Sequence, residues 1–162
     1  MADGKVFNFN DQKRIGDVGE SDFVKVYKDL DPKKSNTDFR IDFTLNNGLT
    51  VELKTDSYDM EKTPNFFMEQ LTISGKNSNL GGPWRSKEHE VDYFVYYFLK
   101  NRVFFWFKPL SLCEFLDKFV EEYRIKPISI PNRDNRGGYY EAVGFKIPRE
   151  SVKQLLLRED KT

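Results

Sequence analysis

The sequence predicts an α/β domain in which a mixed central β-sheet is flanked by helices. Three patterns carry this expectation. Apolar residues recur at helical spacing over 17–30 and 112–123. Segments 39–45 and 49–55 alternate apolar and polar residues on either side of Asn46-Asn47-Gly48, a β-hairpin pattern. Two nearly unbroken aromatic runs, 93–99 and 103–107, have the character of strands covered on both faces.

The first helix carries Phe23, Val26, Tyr27 and Leu30 on one stripe, and Asp31-Pro32 ends it. After the hairpin, 65–73 predicts a strand, and 74–85, rich in Gly, Ser and Asn, a loop. The aromatic strands meet at a turn around Lys100-Asn101. Leu112, Phe115, Leu116 and Phe119 line one face of the next helix. Residues 126–138 predict a Pro-, Arg- and Gly-rich loop, 139–147 a last strand, and 149–158 a closing helix after Pro148. Helix, strands, helix, strand and helix in that order fit one layered α/β domain spanning 1–162.

A chain of 162 residues that is 38% hydrophobic has the composition of a globular domain, not a disordered one. Its 26 basic and 26 acidic side chains cancel. Neutrality does not advertise a nucleic-acid binder, although an acidic metal site can sit beside a local basic groove. Cys113 is the sole cysteine, which excludes a disulfide framework and a cysteine-based zinc site and points to a reducing, cytoplasmic setting. Residues 1–10 lack the pattern of a signal peptide, and every apolar run is too short to span a membrane.

The hairpin carries the candidate chemistry. Ile41, Phe43 and Leu45 alternate with Asp42 and Thr44; Leu49, Val51 and Leu53 alternate with Thr50, Glu52 and Lys54. Side chains alternate faces along a strand, so both apolar sets share a face only if the pairing keeps parity. A three-residue loop does so, with Gly48 in the left-handed position such loops require. It opposes Leu45 to Leu49, Phe43 to Val51 and Asp42 to Glu52. Two opposed carboxylates repel, unless a hard divalent cation such as Mg²⁺ lies between them. Lys54, two residues beyond Glu52, shares its face, where an ammonium can steady an attacking water or a developing phosphate charge. A solvated polar face of an edge hairpin explains the same spacing. Glu20 lies on the helix face of Phe23, Val24 and Tyr27, where a carboxylate needs a partner; Asp17 and Glu20 as a capping box is the local alternative.

With Glu20, Asp42 and Glu52-Leu53-Lys54 assembled, the chain resembles the PD-(D/E)XK nuclease superfamily, in particular small phage-type, homing- or resolvase-like endonucleases. Ile41, not Pro, precedes Asp42. The likeness extends through Asn65 to Glu69, Gly81-Gly82-Pro83-Trp84 and 89–96, covering roughly 16–120. It implies a restriction-endonuclease-like core, hydrolysis of DNA phosphodiesters, and Mg²⁺ or Mn²⁺ as cofactor. The implied catalytic set is Glu20, Asp42, Glu52 and Lys54, with Asp42, Glu52 and the carbonyl of Leu53 on the metal; Glu69 is a weaker candidate for an outer role, and an exposed strand position explains it better.

Lys76, Arg85 and Lys87 flank glycine-rich segments and form one expected phosphate-contacting loop. Trp84 is a candidate for stacking on a base, although an isolated Trp commonly packs on a sheet. Arg133 and Arg136 beside Gly137-Gly138 form a second candidate DNA loop. Cutting both strands by a chain this small calls for two active sites, so a homodimer is expected. The alternative to an endonuclease is a catalytically idle nucleic-acid-binding or adaptor module on the same fold.

Overall fold

The computed structural model describes residues 7–35, 41–133 and 138–162. The chain begins with β1 (Phe7–Asn8), α1 (Phe9–Val26), β2 (Lys33–Lys34), β3 (Phe43–Thr44), β4 (Thr50–Asp56) and β5 (Asn65–Ser74). It continues through β6 (Asn77–Leu80), α2 (Gly82–Glu88), β7 (Tyr93–Phe98), β8 (Val103–Phe107) and α3 (Pro109–Glu122). It closes with β9 (Ile128–Arg133), β10 (Tyr139–Pro148), a 3-10 turn over Arg149–Leu155, and β11 (Arg158–Lys161).

Six strands form the central sheet in the order β11-β8-β7-β4-β3-β2. Its β4–β7 pair is parallel and its other pairs antiparallel, so the expected mixed sheet is present. The continuous aromatic runs have a direct cause. Along β7, Val95 and Tyr97 enter a core under α1 with Phe23, Tyr27, Phe43 and Val51. Phe94, Tyr96 and Phe98 enter a second core with Phe66, Met68, Trp84 and Leu112. Both faces are therefore dry, and each fully buried aromatic contributes roughly 2–3 kcal/mol.

A second sheet, ordered β1-β9-β10-β5-β6, packs with α2 and α3 over that second core. Its extent was not anticipated. Residues 126–138 hold β9, although Pro131 lies within it; among the described residues, β1 pairs Asn132 and Arg133 on the side away from β10, and no partner of Pro131 is described there. Residues 74–85 hold β6, a polar and wholly exposed edge strand, and the start of α2. The closing helix expected at 149–158 is a 3-10 turn followed by β11, whose charged residues pair β8 through the main chain. An edge strand needs no apolar side chains to pair, so neither β6 nor β11 shows an alternating pattern.

Helix α1 begins at Phe9, not at 17, and Asp17 lies in mid-helix. The capping-box explanation of Glu20 is thereby removed. Val24 is also not core-facing, being 40% exposed. The helix approaches β4 closely at Gly19, where an added Cβ would lie 1.9 Å from Thr55 Oγ1. Gly19→Ala is expected to push α1 off the sheet and cost about 1–3 kcal/mol in urea denaturation. Gly16→Ala meets nothing within 4 Å and should instead stabilise the same helix by up to about 1 kcal/mol; similar losses in both variants would disprove this account of the contact.

Candidate active site

The β3–β4 hairpin has the parity its sequence requires. Phe43 pairs Val51 and Thr44 pairs Thr50. Leu45 N–H donates to Leu49 O at 2.8 Å, and Gly48 has φ of 84° in the loop. The ladder then stops. Asp42 N–H donates to the carbonyl of Val51, the residue that already pairs Phe43, so the chain bends before a regular Asp42–Glu52 pair can form. Asp42 instead turns its side chain inward, and its Oδ2 accepts the Leu53 N–H at 2.7 Å. A carboxylate thus takes a main-chain donor that the next residue of a regular β3 would have satisfied.

Glu52 and Lys54 lie on the face of β4 opposite α1, toward α2 and the second sheet. Glu52 is held from α2: the Ser86 hydroxyl donates to Oε2, and Arg85 Nη1 stands 3.8 Å from Oε1. Ser86 is fully buried. Asp92 reinforces this end of the sheet by accepting from both the N–H and the hydroxyl of Thr50, at 2.9 and 3.1 Å. Lys54 opens with Glu69 onto a cleft of about 300 Å³ between the two sheets. Glu69 sits against Gly81 and Gly82, where any Cβ would collide with it.

The electrostatics single out two carboxylates. Burial pushes the Asp42 carboxyl up to about 6, against the lowering effect of the Leu53 N–H, and the charge of Glu20 pushes the same way. Burial pushes Glu52 up to about 7, opposed by Ser86 and Arg85 and reinforced by Asp42 and Glu69. Glu20, Asp42, Glu52 and Glu69 therefore feel one another in series. Glu20 is itself engaged by Lys34 Nζ at 2.8 Å, which is why it does not join the inner pair. Among the described residues, no three His, Cys, Asp or Glu side chains converge closely enough to enclose a metal ion.

The chain is similar to a homing endonuclease. The solved structure is that of the bacterial homing endonuclease I-Ssp6803I, at 20% identity and a TM-score of 0.47, with 63% of this chain and 72% of that one covered. No protein-family model and no curated protein matches the sequence.

The residues expected to contact DNA are dispersed. Trp84 is a correction: it is buried, its indole N–H donates to Asp117 Oδ1 at 3.0 Å, and its ring lies 6.1 Å from Phe145, so it offers no face to a base. Arg85 faces Glu52. Lys76 sits in the β5–β6 turn and Lys87 on the exposed side of α2. Arg133 ends β9 with its guanidinium 5.2 Å from the Tyr139 ring centre. Arg136 lies outside the described residues. Ser86 is the residue that sequence reasoning missed; it lies in a stretch taken for a loop, and nothing there announces a buried hydroxyl aimed at Glu52.

Because Asp42 and Glu52 hold protons more tightly folded than at the ordinary carboxylate value near 4, their contribution to stability is fully present below about pH 4. It is lost as pH rises through about 6 and 7. Asp42→Asn keeps an oxygen for the Leu53 N–H and removes the charge. Urea titrations should find this variant more stable than the parent at pH 8, by on the order of 1–2 kcal/mol, with the advantage gone at pH 4. An advantage of equal size at both pH values would assign the effect to packing. Ser86→Ala should raise the Glu52 pKa further, as read by carboxyl carbon NMR.

Proposed function

We propose that the chain is a divalent-metal-dependent DNA endonuclease of the PD-(D/E)XK type, hydrolysing phosphodiesters at Asp42, Glu52 and Lys54. The observation that carries this reading is the inner carboxylate pair: two acids from adjoining segments, both buried enough to resist ionisation, with one arginine at 3.8 Å as the nearest cation to Glu52. Sites of this kind concentrate at functional clefts.

The donor set suits a hard cation. Each carboxylate has one anchored oxygen, Asp42 Oδ2 on the Leu53 N–H and Glu52 Oε2 on Ser86; the other oxygen of Glu52 lies 3.8 Å from Arg85, which a cation would displace. In an extended strand the N–H and C=O of one residue point to the same side, so the Leu53 carbonyl lies along the strand edge that Asp42 caps. Two carboxylates and one carbonyl leave room for water and phosphate oxygens, the mixture Mg²⁺ prefers. Mg²⁺ or Mn²⁺ bound there would polarise a phosphate oxygen and acidify a water. Lys54, on the face of Glu52 and at the mouth of the cleft, supplies a positive charge beside the phosphate and orients the attacking water. Glu20 acts from outside, through Asp42 and through its pair with Lys34. Arg85 holds Glu52 in the absence of the ion.

Supercoiled DNA should be cut with Mg²⁺ and left intact with EDTA. Asp42→Asn, Glu52→Gln and Lys54→Ala should each lower the rate about a hundredfold or more while folding normally. Undiminished cleavage by the Lys54 variant would overturn the assignment. An uncut substrate together with DNA binding by a well-folded parent would point to the idle binding module instead. At subsaturating metal the rate should climb from pH 6 to pH 8, because carboxyls held at about 6 and 7 must lose their protons before they bind a cation. Saturating metal should move that climb to lower pH.

A further inference from the structure

Beyond the acidic cluster, the cleft onto which Lys54 opens is continued by a second cleft of about 400 Å³. The two share Asp56, Tyr58, Phe67 and Ile130 as common walls. Together they make one groove leading from Lys54, past Tyr58, to Lys62 and Lys146.

Three lysines, Lys54, Lys62 and Lys146, line this groove against two carboxylates, Asp56 and Glu69. Among the described residues, Lys54, Lys62 and Lys146 have no carboxylate within ion-pair distance. Asp56 is occupied: one oxygen accepts the Tyr58 N–H at 2.8 Å, the other the hydroxyl of Tyr96. The wall that carries Tyr58 and Lys62 is braced. Arg149 donates to the carbonyls of Thr63, Met60 and Asn65 at 2.5, 2.9 and 3.4 Å, and Met60 N–H donates to Asn101 Oδ1 at 2.9 Å. Tyr58 is 46% exposed on that wall. Clefts of these volumes are on the scale of small-ligand pockets, too small to enclose a base-paired duplex. Separated ammonium groups beside an exposed aromatic ring are the elements by which proteins hold single strands without reading their sequence.

We propose that this groove seats an unpaired strand of DNA, its phosphates along Lys54, Lys62 and Lys146 and a base against Tyr58. Resting on the nuclease reading, this makes the preferred substrate a duplex with a single-stranded segment beside the cut, such as a flap or fork.

Binding can be tested apart from cleavage, using the full chain in EDTA and a short labelled oligothymidylate followed by fluorescence anisotropy. The single strand should bind more tightly than a duplex of equal length. Lys62→Ala with Lys146→Ala should weaken it about tenfold and reduce the salt slope by roughly 1 to 1.5, the loss of two single-strand phosphate contacts. Tyr58→Ala should weaken it about tenfold as well. With Mg²⁺, the double lysine variant should cut plain duplex at the parental rate and lose its preference for a flapped substrate. Parental affinity of the double variant for the oligonucleotide, or an equal loss on duplex, would overturn the groove proposal. If the parent cuts nothing while the variants still lose single-strand affinity, the nuclease reading fails and the groove stands.

Discussion

Between Phe43 and Val51 the β3–β4 ladder is closed by the main chain; one residue further along, a carboxylate takes over. The candidate site depends on this substitution. Leu53 lies in the strand that joins the hairpin to the parallel half of the sheet, and its N–H faces a gap where β3 bends away. An unpaired buried amide costs on the order of 1–3 kcal/mol. Asp42 fills the gap, and in doing so is drawn into the half-buried space beside Glu52. The proton affinity of both acids then rises because neighbouring chain has replaced water around them. Ser86, Arg85 and Lys34 moderate that cost without removing it, while Glu20 adds to it.

Other acids of the fold are of a different kind. Asp22 accepts from Tyr97 and Arg102, Asp56 from Tyr96 and Tyr58, Asp160 from Tyr27 and Arg158, and Asp117 from Trp84. Each satisfies a donor at the edge of the aromatic core, and the phenols of Tyr27 and Tyr97 are raised far above their usual value by burial and by these acids. This division explains how a chain with 26 acidic residues carries an acidic centre at neutral net charge. Many of its carboxylates are joints of the fold. Among the described residues, Asp42 and Glu52 are the two carboxylates raised well above their usual value, which is the property a cation would relieve.

The two-sheet architecture places Lys54 and Glu69, rather than the buried acid pair itself, on an open cleft. The second sheet covers one end of the central sheet, and its meeting with the first leaves the groove on which Lys54 and Glu69 open. Net charge is therefore a poor guide to partners here. What matters is that lysines with no ion-pair partner among the described residues lie along one groove, while many acids are engaged within the fold.

Much of this was legible in the one-dimensional pattern. Strict alternation on both sides of Asn46-Asn47-Gly48 determined the hairpin, its three-residue loop and the shared face of Glu52 and Lys54, because a one-residue slip would have exposed every apolar side chain. The aromatic runs likewise determined β7 and β8, since only strands covered on both faces tolerate such continuity. Tertiary structure alone decided the rest. The bend at Asp42, the burial of Trp84, the arrival of Ser86 at Glu52 and the pairing of Glu20 with Lys34 each depend on a segment distant in sequence. The polar edge strands β6 and β11, and β9 around its proline, pair through main-chain groups that leave no mark in side-chain periodicity. Side-chain periodicity records which face is dry; it holds no record of which backbone lies alongside, or of which charge burial will bring within reach of another.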